Sequence, residues 1–394
     1  MKGDKKLKKN IVLLAVLLAA MLFTACSSEP QEVVNVYNWG EYIDESIFDD
    51  FEEQTGIKVN YNVYESNEQL YTVLNGGGVS YDVIIPSDYM ISRMIEEDML
   101  EKINFDNVPN IAKIDPAYLN LEFDPAQEYS VPYSWGVVGI IYNTKVVNEP
   151  VDSWSIIFDE KYSGQILQFD NSRDAMATAL FYLGYPVNTT DKAQLEEAYQ
   201  LLVSQKPILQ GYVMDQIFDR MERGEAWAAP YYAGDYLTMV EENPDLGFSH
   251  PKEGFNIFID AMCIPKGCQN KEGAEAFINF LCRPEISAAN LDYIGYSTPE
   301  TAAKDYLDED VTSSPVSYPD DETLARSESF AELGVGATQT MNDLWLSVKT
   351  STSNTTLYLV LTITAIAAVI LFFLISGIIK RRKKARRCRK WRQT

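Results

Sequence analysis

Short apolar strands alternate with amphipathic helices through most of the chain, and this order restricts its fold more than any other feature. The first three predicted strands cover residues 33–39, 57–63 and 81–86. Helical spacing is found between them, near 46–55 and 67–74. A strand–helix–strand order builds a mostly parallel sheet, in which ligands gather at the carboxyl ends of the strands. The sequence therefore predicts an α/β protein with candidate binding residues at 38–42 and 87–89.

A second unit is predicted to begin near residue 133. Its predicted strands cover 137–142, 165–169 and 226–231. Its predicted helices cover 172–183, 192–204 and 216–223. A strand over 256–264 is then expected to return the chain to the first unit.

Charge and residue usage narrow the chemistry. The formal net charge is −24, although both ends of the chain are basic. An acidic main domain excludes nucleic acid as its partner, because a phosphate backbone requires a basic surface. The single histidine, His250, disfavours Ser-His-Asp and Cys-His catalysis, and the absence of any Cys-x-x-Cys pair leaves no zinc motif. We therefore predict no catalytic residue, metal or cofactor. Cys263, Cys268 and Cys282 are predicted to be buried or unpaired thiols, with a disulfide between the first two as the alternative.

Both ends carry patterns of membrane attachment. Residues 1–26 combine a basic start, an apolar run and a small residue before Cys26, which predicts a lipoprotein signal peptide with lipid on Cys26. An uncleaved N-terminal anchor is the alternative. Residues 357–379 carry no charge and are long enough to cross a ~30 Å hydrocarbon core, which predicts a transmembrane helix. Residues 347–356 are predicted to be a tether, and the basic tail 380–394 is expected to be cytoplasmic and in contact with lipid. The main domain is thus expected on the extracytoplasmic face of the cell membrane.

Several short motifs follow one another along this domain. They are Tyr-Asn-Trp-Gly-Glu-Tyr-Ile at 37–43, Thr-Gly-Ile-Lys-Val at 55–59, Tyr-Glu-Ser-Asn-Glu at 64–68, Tyr-Asp-Val-Ile-Ile-Pro-Ser at 81–87, Asn-Lys-Glu-Gly-Ala at 270–274, Ile-Asn-Phe-Leu-Cys-Arg-Pro at 278–284 and Ile-Gly-Tyr-Ser-Thr-Pro at 294–299. Together, over about residues 33–345, they resemble the spermidine/putrescine-binding proteins of bacterial polyamine ABC importers. The C-terminal apolar segment and the basic tail do not belong to that family's usual pattern.

The resemblance implies a fold. It is a two-lobed periplasmic-binding-protein fold of type II, with a central mixed sheet in each lobe and a ligand cleft between the lobes. Lobe 1 would consist of residues 33–134 and 260–304, and lobe 2 of residues 135–259 and 305–346.

The resemblance also implies a function. The protein would capture polyamines such as putrescine or spermidine as a monomer and deliver them to membrane permease subunits and, through them, to a cytoplasmic ATPase. It would catalyse no reaction. The implied ligand-binding residues are Trp39, Glu41, Tyr42, Ser87, Tyr89, Asn171, Asp174, Tyr232, Phe258, Asp260 and Tyr296. Carboxylates would meet the ammonium groups of the ligand, and aromatic rings would enclose its methylene chain.

Four of these positions depart from the family's pattern. Asn171 stands where the family has a carboxylate, and Asp174 replaces a glutamate. Tyr232 and Phe258 stand where the family has tryptophans. The missing carboxylate favours a ligand with fewer or differently spaced charges, with Asp235 as the candidate to compensate.

Other interpretations of the same residues remain open. The ligand of a binding protein can be another small organic cation or amine, and a membrane-anchored amine sensor would use the C-terminal segment to signal. A secreted hydrolase would use paired acids such as Asp170 and Asp174. Each implied residue also has an ordinary structural alternative, such as a strand-end cap for Asp260 or core packing for Trp39.

Overall fold

The computed structural model describes residues 31–351 together with 362–364, 366–368 and 371. The chain forms two compact units. Unit 1 holds the described residues up to Gly136 and Phe258–Tyr318, and unit 2 holds Val137–Ile257 and the described residues from Pro319 onward. The chain therefore changes unit after Gly136, after Ile257 and after Tyr318.

The secondary structure alternates between strands and helices, as the apolar periodicity indicates. The strands are β1 Val33–Trp39, β2 Lys58–Tyr64, β3 Val83–Ile84, β4 Leu100–Glu101, β5 Ser130–Asn143, β6 Ile166–Phe169, β7 Leu209–Val213, β8 Ala228–Tyr232, β9 Leu246–Ser249, β10 Phe255–Pro265 and β11 Ser327–Glu328. The α-helices are α1 Ile47–Thr55, α2 Asn67–Gly76, α3 Asp88–Glu96, α4 Ser172–Leu183, α5 Lys192–Gln205, α6 Ile217–Glu222, α7 Ala233–Glu242, α8 Lys271–Leu281, α9 Pro284–Ile294, α10 Glu309–Thr312, α11 Asp321–Leu324 and α12 Val335–Thr350.

Unit 1 is built on a mixed sheet with β1 at its centre. β1 pairs in parallel with β2 on one side and with β3 on the other. β10 joins β3 in the antiparallel direction, with Cys263 opposite Ile84, and β4 pairs with the end of β10. Val34 and Val36 of β1 and Phe51 of α1 are fully buried in the core of this unit.

Unit 2 has a mixed sheet of its own in the order β5–β8–β6–β7. β5 pairs in the antiparallel direction with β8 and β9, whereas β6 runs parallel to both β7 and β8. Helix α4 is buried along most of its length, which agrees with the mostly small or apolar residues that follow Asp174 in it. Parallel neighbours place the ends of β6 and β8 at one edge of the sheet, where ligands bind in α/β folds.

Local sequence signals set the ends of several helices. The side chain of Ser66 accepts a hydrogen bond from Gln69 N at the start of α2, and Asn171 Oδ1 accepts one from Asp174 N at the start of α4. Helix α4 ends at Gly184, whose φ of 74° lies in the left-handed region that glycine adopts without strain.

The transmembrane helix predicted at residues 357–379 is wrong. Within the part of the chain that the structure describes, no helix is long and apolar enough to cross a membrane. A bilayer core requires about 20 consecutive apolar residues, and the longest described helix, α12, has 16 residues.

Several expectations about the chain ends fall outside the described residues. They concern the signal peptide 1–26, the lipid on Cys26 and the basic tail 380–394. Of the apolar run 357–379, the structure describes 362–364, 366–368 and 371. The start of the predicted tether at 347–356 belongs to α12, which continues to Thr350.

The cysteines in the described part of the chain are free thiols. Cys263 and Cys282 are buried, and Cys268 is partly exposed. Burial raises the pKa of Cys263 and of Cys282 well above its usual value, so both thiols stay protonated at neutral pH.

Candidate functional site

The predicted ligand residues fall into two groups, one in each unit. Unit 1 contains Trp39, Glu41, Tyr42, Ser87, Tyr89, Phe258, Asp260 and Tyr296. Unit 2 contains Asn171, Asp174 and Tyr232. In both units the residues lie at or beside the carboxyl ends of parallel strands: β1 and β3 in unit 1, and β6 and β8 in unit 2.

In unit 1 a buried carboxylate is held by a tyrosine hydroxyl. We call Tyr42, Ser134, Asp260 and Tyr296 the Asp260 cluster. Asp260 is only 4% exposed, and the Tyr42 hydroxyl donates to its Oδ2 at 2.6 Å. The same hydroxyl oxygen lies 2.5 Å from Ser134 Oγ. Because a phenol carries one proton, Ser134 must donate to Tyr42 while Tyr42 donates to Asp260.

The position of Tyr42 is fixed from its main-chain side as well. The Tyr133 hydroxyl donates to the carbonyl oxygen of Tyr42 at 2.7 Å, and Asn290 Nδ2 donates to the Tyr133 hydroxyl at 2.7 Å. Burial, and next the charge of Asp260, raises the pKa of Tyr42 well above its usual value. Tyr42 therefore remains a hydrogen-bond donor to the carboxylate throughout the physiological pH range.

Further aromatic rings pack near the Tyr42–Asp260 pair. The Tyr296 ring meets Tyr42 edge-on at 4.7 Å between centroids, and Phe258 lies 6.2 Å from Tyr296. Trp39, at the end of β1, donates its indole N–H to the carbonyl oxygen of Ile85 at 2.9 Å. Carboxylate and aromatic faces side by side suit an organic cation with an apolar body.

The remaining predicted residues of unit 1 differ in their surroundings. Ser87 lies opposite Asp260 in an isolated antiparallel bridge, and its Oγ accepts from Asn67 Nδ2 at 3.1 Å. The Tyr89 hydroxyl instead donates to Glu68 Oε1 at 3.1 Å, which links α3 to α2. Glu41 is an exposed turn residue with a φ of 46°. The structure thus brings Ser87, but not the Glu41 carboxylate, into contact with the strand that carries Asp260.

Unit 2 holds a second buried carboxylate of the same kind. We call Phe169, Asn171, Asp174 and Tyr232 the Asp174 cluster. Asp174 is 8% exposed, and its Oδ2 accepts from the Tyr232 hydroxyl at 2.8 Å and from Asn171 Nδ2 at 2.8 Å. Asn171 therefore caps the helix through its Oδ1 and orients the carboxylate through its Nδ2. A negative charge in the first turn of α4 is also favoured by the helix dipole.

The surroundings of Asp174 are aromatic and acidic. The Phe169 ring lies 5.2 Å from the Tyr232 ring. Burial, and next the Asp174 charge, raises the pKa of Tyr232 well above its usual value, and the charge of Asp235 raises it further. Asp235 is buried at the first turn of α7. It is thus a second acid near the tyrosine, at the position that sequence analysis named as a compensating carboxylate.

Some residues in or next to the two clusters were not named from the sequence. Ser134 and Tyr133 lie in the long apolar strand β5, where no local pattern distinguishes a site residue from a core residue. Asn67, which donates to Ser87, could have been named from the sequence, because it lies in the motif at 64–68. Among residues 31–351 and the few described beyond them, no three His, Cys, Asp or Glu side chains are grouped so that they could hold a metal ion.

The chain belongs to the family of bacterial extracellular solute-binding proteins. The family profile matches residues 46–319. This membership confirms the class of protein that the motifs indicated, and its structural relatives show an α/β periplasmic-binding-protein fold with a mixed sheet.

Individual relatives point to a narrower group. The chain is 34% identical over 327 residues to the spermidine/putrescine-binding periplasmic protein of Escherichia coli K12, covering 82% of this chain and 94% of the relative. Its fold matches a Listeria monocytogenes protein with a TM-score of 0.79 and 39% identity, over 81% of this chain and 99% of that one. The substrate-binding protein PotD of the Streptococcus pneumoniae spermidine/putrescine ABC transporter matches with a TM-score of 0.69 and 37% identity, over 81% and 98% of the two chains.

Proposed function

We propose that this protein is the extracytoplasmic substrate-binding component of a polyamine ABC importer, which captures putrescine or spermidine for a membrane permease. The observation that carries the proposal is a buried carboxylate with a tyrosine hydroxyl donor, present in each unit as Asp260 with Tyr42 and as Asp174 with Tyr232. The named relatives, with about one third of their residues identical over most of the chain, support the same ligand class.

The chemistry of a polyamine matches these clusters. Each ammonium group carries a full positive charge and several N–H donors, so it requires a carboxylate acceptor when it leaves water. A charge-assisted hydrogen bond contributes roughly 1.5–3 kcal/mol, and an ammonium over a desolvated aromatic ring roughly 2 kcal/mol. Each cluster supplies both groups, because a second aromatic ring packs against the tyrosine that donates to each carboxylate.

We also propose membrane permease subunits as partners and the outer face of the cell membrane as the location. The loaded protein docks as a monomer on permease subunits, which couple import to a cytoplasmic ATPase, and it performs no chemical step on its ligand. Membership in a family of solute-binding proteins supports this absence of catalysis. Export through the lipoprotein signal, with lipid on Cys26, would keep the protein beside its permease on the outer face of the cell membrane.

A thermal-shift experiment tests the ligand class. Putrescine, cadaverine, spermidine and spermine are compared with γ-aminobutyrate, glutamate and glucose as solutes of different charge. A ligand that binds only the folded state raises the melting temperature in proportion to the logarithm of its concentration, so at least one polyamine should produce a concentration-dependent rise. A larger rise with an anion or a sugar, or no rise with any amine at millimolar concentration, would overturn the proposal.

A further inference from the structure

One face of α12 lies against the segment that carries the Asp174 cluster. Asn342, Trp345 and Lys349 follow one another at spacings of three and four residues, so they share a face of the helix. Asn342 Oδ1 accepts from Ser172 Oγ at 2.6 Å, and Lys349 Nζ lies 2.5 Å from Asp170 Oδ1. Trp345 meets the Tyr212 ring of β7 edge-on at 5.2 Å.

These contacts reach both neighbours of Asn171. Asp170 precedes Asn171, and Ser172 follows it as the first residue of α4. Asn171 in turn holds the Asp174 carboxylate through its Nδ2 and the Asp174 main-chain N–H through its Oδ1. A short hydrogen-bonded path therefore runs from Asn342 to Ser172 and, through one peptide link and Asn171, to the carboxylate.

The far end of α12 is fixed by a lysine from another element. Lys206, at the end of α5, donates to the carbonyl oxygens of Val348, Lys349 and Ser351 at 3.0, 2.5 and 2.7 Å. These are carbonyl groups that a helix end leaves without an intrahelical partner, and a positive charge there is favoured by the helix dipole. Lys206 therefore links the last turn of α12 to the end of α5.

Of the two contacts to the Asp174 segment, the Asn342 bond matters more. The side chains of Lys349 and Asp170 are each 38% exposed, and an ion pair of that exposure contributes little because water screens it. Ser172 is 5% exposed, so loss of its acceptor leaves a buried hydroxyl without that bond. The first turn of α4 can then relax, and with it the direction of the carboxylate.

We infer that Asn342 is a positioning residue for ligand binding: through Ser172 and Asn171, α12 holds the Asp174 carboxylate in the direction that an ammonium group requires. The inference rests on the proposed function. A carboxylate that is free to turn must be ordered when the ligand binds, which lowers affinity without removing any ligand contact.

The test is a calorimetric titration of the full-chain protein with putrescine, accompanied by a melting curve without ligand. Asn342→Ala should weaken binding about three- to tenfold, in line with one hydrogen bond. The matched control is Gln339→Ala on the same helix, which removes only an exposed intrahelical bond to Asp343 and should leave the dissociation constant unchanged. If Asn342→Ala does not fold, Ser172→Ala deletes the same bond from the other side and replaces it.

Combination with Asp174→Asn separates positioning from general stability. If Asn342 acts through the Asp174 carboxylate, Asn342→Ala should cause no further loss of affinity in the Asp174→Asn protein. An equal loss in both backgrounds, or a lower melting temperature with unchanged affinity in Asn342→Ala, would overturn the inference while the proposed function stands. No putrescine or spermidine binding by the unmodified protein would overturn both.

Discussion

The Tyr42 hydroxyl donates to Asp260 Oδ2 across 2.6 Å in the interior of unit 1, and its proton is available because Ser134 donates to Tyr42 in turn. Tyr232 forms the corresponding bond with Asp174 in unit 2, at 2.8 Å. A tyrosine hydroxyl is a neutral donor, so it orients a carboxylate without cancelling the charge that the ionised group carries. Each carboxylate thus keeps its full attraction for a cation, which an arginine or lysine in the place of the tyrosine would remove.

Removal of the Tyr42 hydroxyl should affect folding and binding together. Tyr42→Phe deprives the buried Asp260 carboxylate of a donor, and hydrogen bonds to charged groups contribute roughly 1.5–3 kcal/mol. We expect the free energy of unfolding to fall by about that amount in urea titrations, with weaker polyamine binding. Tyr61→Phe is the control, since the single proton of the Tyr61 hydroxyl is donated to a main-chain carbonyl, that of Trp39. If the two changes lower the free energy of unfolding and the polyamine affinity equally, the bond to Asp260 contributes no more than an ordinary hydrogen bond.

Removal of the Asp260 charge should weaken ligand binding strongly. In Asp260→Asn, a bound ammonium is desolvated without its counter-charge, a loss of roughly 2–5 kcal/mol, much of it the penalty of the unpaired cation. The dissociation constant should rise by about 30-fold or more. Asp106→Asn is the matched control in the same unit, since Asp106 is exposed and screened by water. Indistinguishable affinities of these two variants would contradict the assignment of Asp260 to the site.

Glu300 should make the protein less stable at alkaline pH. It is 2% exposed, and burial together with the nearby Glu285 charge raises its pKa to about 8, with Lys113 opposing. The folded state therefore binds more protons than the unfolded state between the ordinary pKa and about 8, so stability falls as pH rises through that window. Glu300→Gln should remove a pH-dependent loss on the order of 3 kcal/mol between about pH 5 and about pH 9. If the free energy of unfolding changes with pH in the same way for both proteins across that range, Glu300 does not have this raised pKa.

His250 should make the protein less stable at acid pH, whereas Glu300 does so at alkaline pH. Its ring lies between Phe248 and Phe255, and burial, with Arg326 nearby, lowers its pKa to about 4 against the opposing charge of Asp320. The unfolded chain binds the proton first, so stability is lost as pH falls from the ordinary histidine pKa through about 4. His250→Gln should reduce the acid-induced loss by up to about 3 kcal/mol, measured by urea unfolding at several pH values. If His250→Gln loses as much unfolding free energy at acid pH as the unmodified protein, His250 is not buried in this way.

Local sequence patterns predicted the elements that carry the clusters. The helix expected at 172–183 occurs at those residues, because Asn171 caps it and Gly184 ends it. The strand expected at 81–86 is only Val83–Ile84, and Pro86, two residues beyond it, cannot donate to a ladder. The strand expected at 137–142 extends over Ser130–Asn143. Short edge pairings such as β4 and β9 have too little periodicity to be seen in advance.

Only part of the candidate site could be predicted from the sequence. Asp174 and Asp260 were named from motifs, but their bonds to Tyr232 and Tyr42 connect residues far apart in the chain, and no local pattern reports such pairing. The transmembrane expectation failed because an uncharged run by itself does not establish a spanning helix; in the described residues, none is found.

The central claim is that this protein binds polyamines, and isothermal titration calorimetry of the unmodified protein with putrescine and with spermidine tests it most directly. We expect saturable binding of at least one of them with a dissociation constant in the micromolar range or below, which corresponds to a binding free energy of about −8 kcal/mol or stronger. The affinity should weaken as salt is added, because charged groups supply much of the attraction. Absence of saturable heat at millimolar concentrations of both amines would contradict the account.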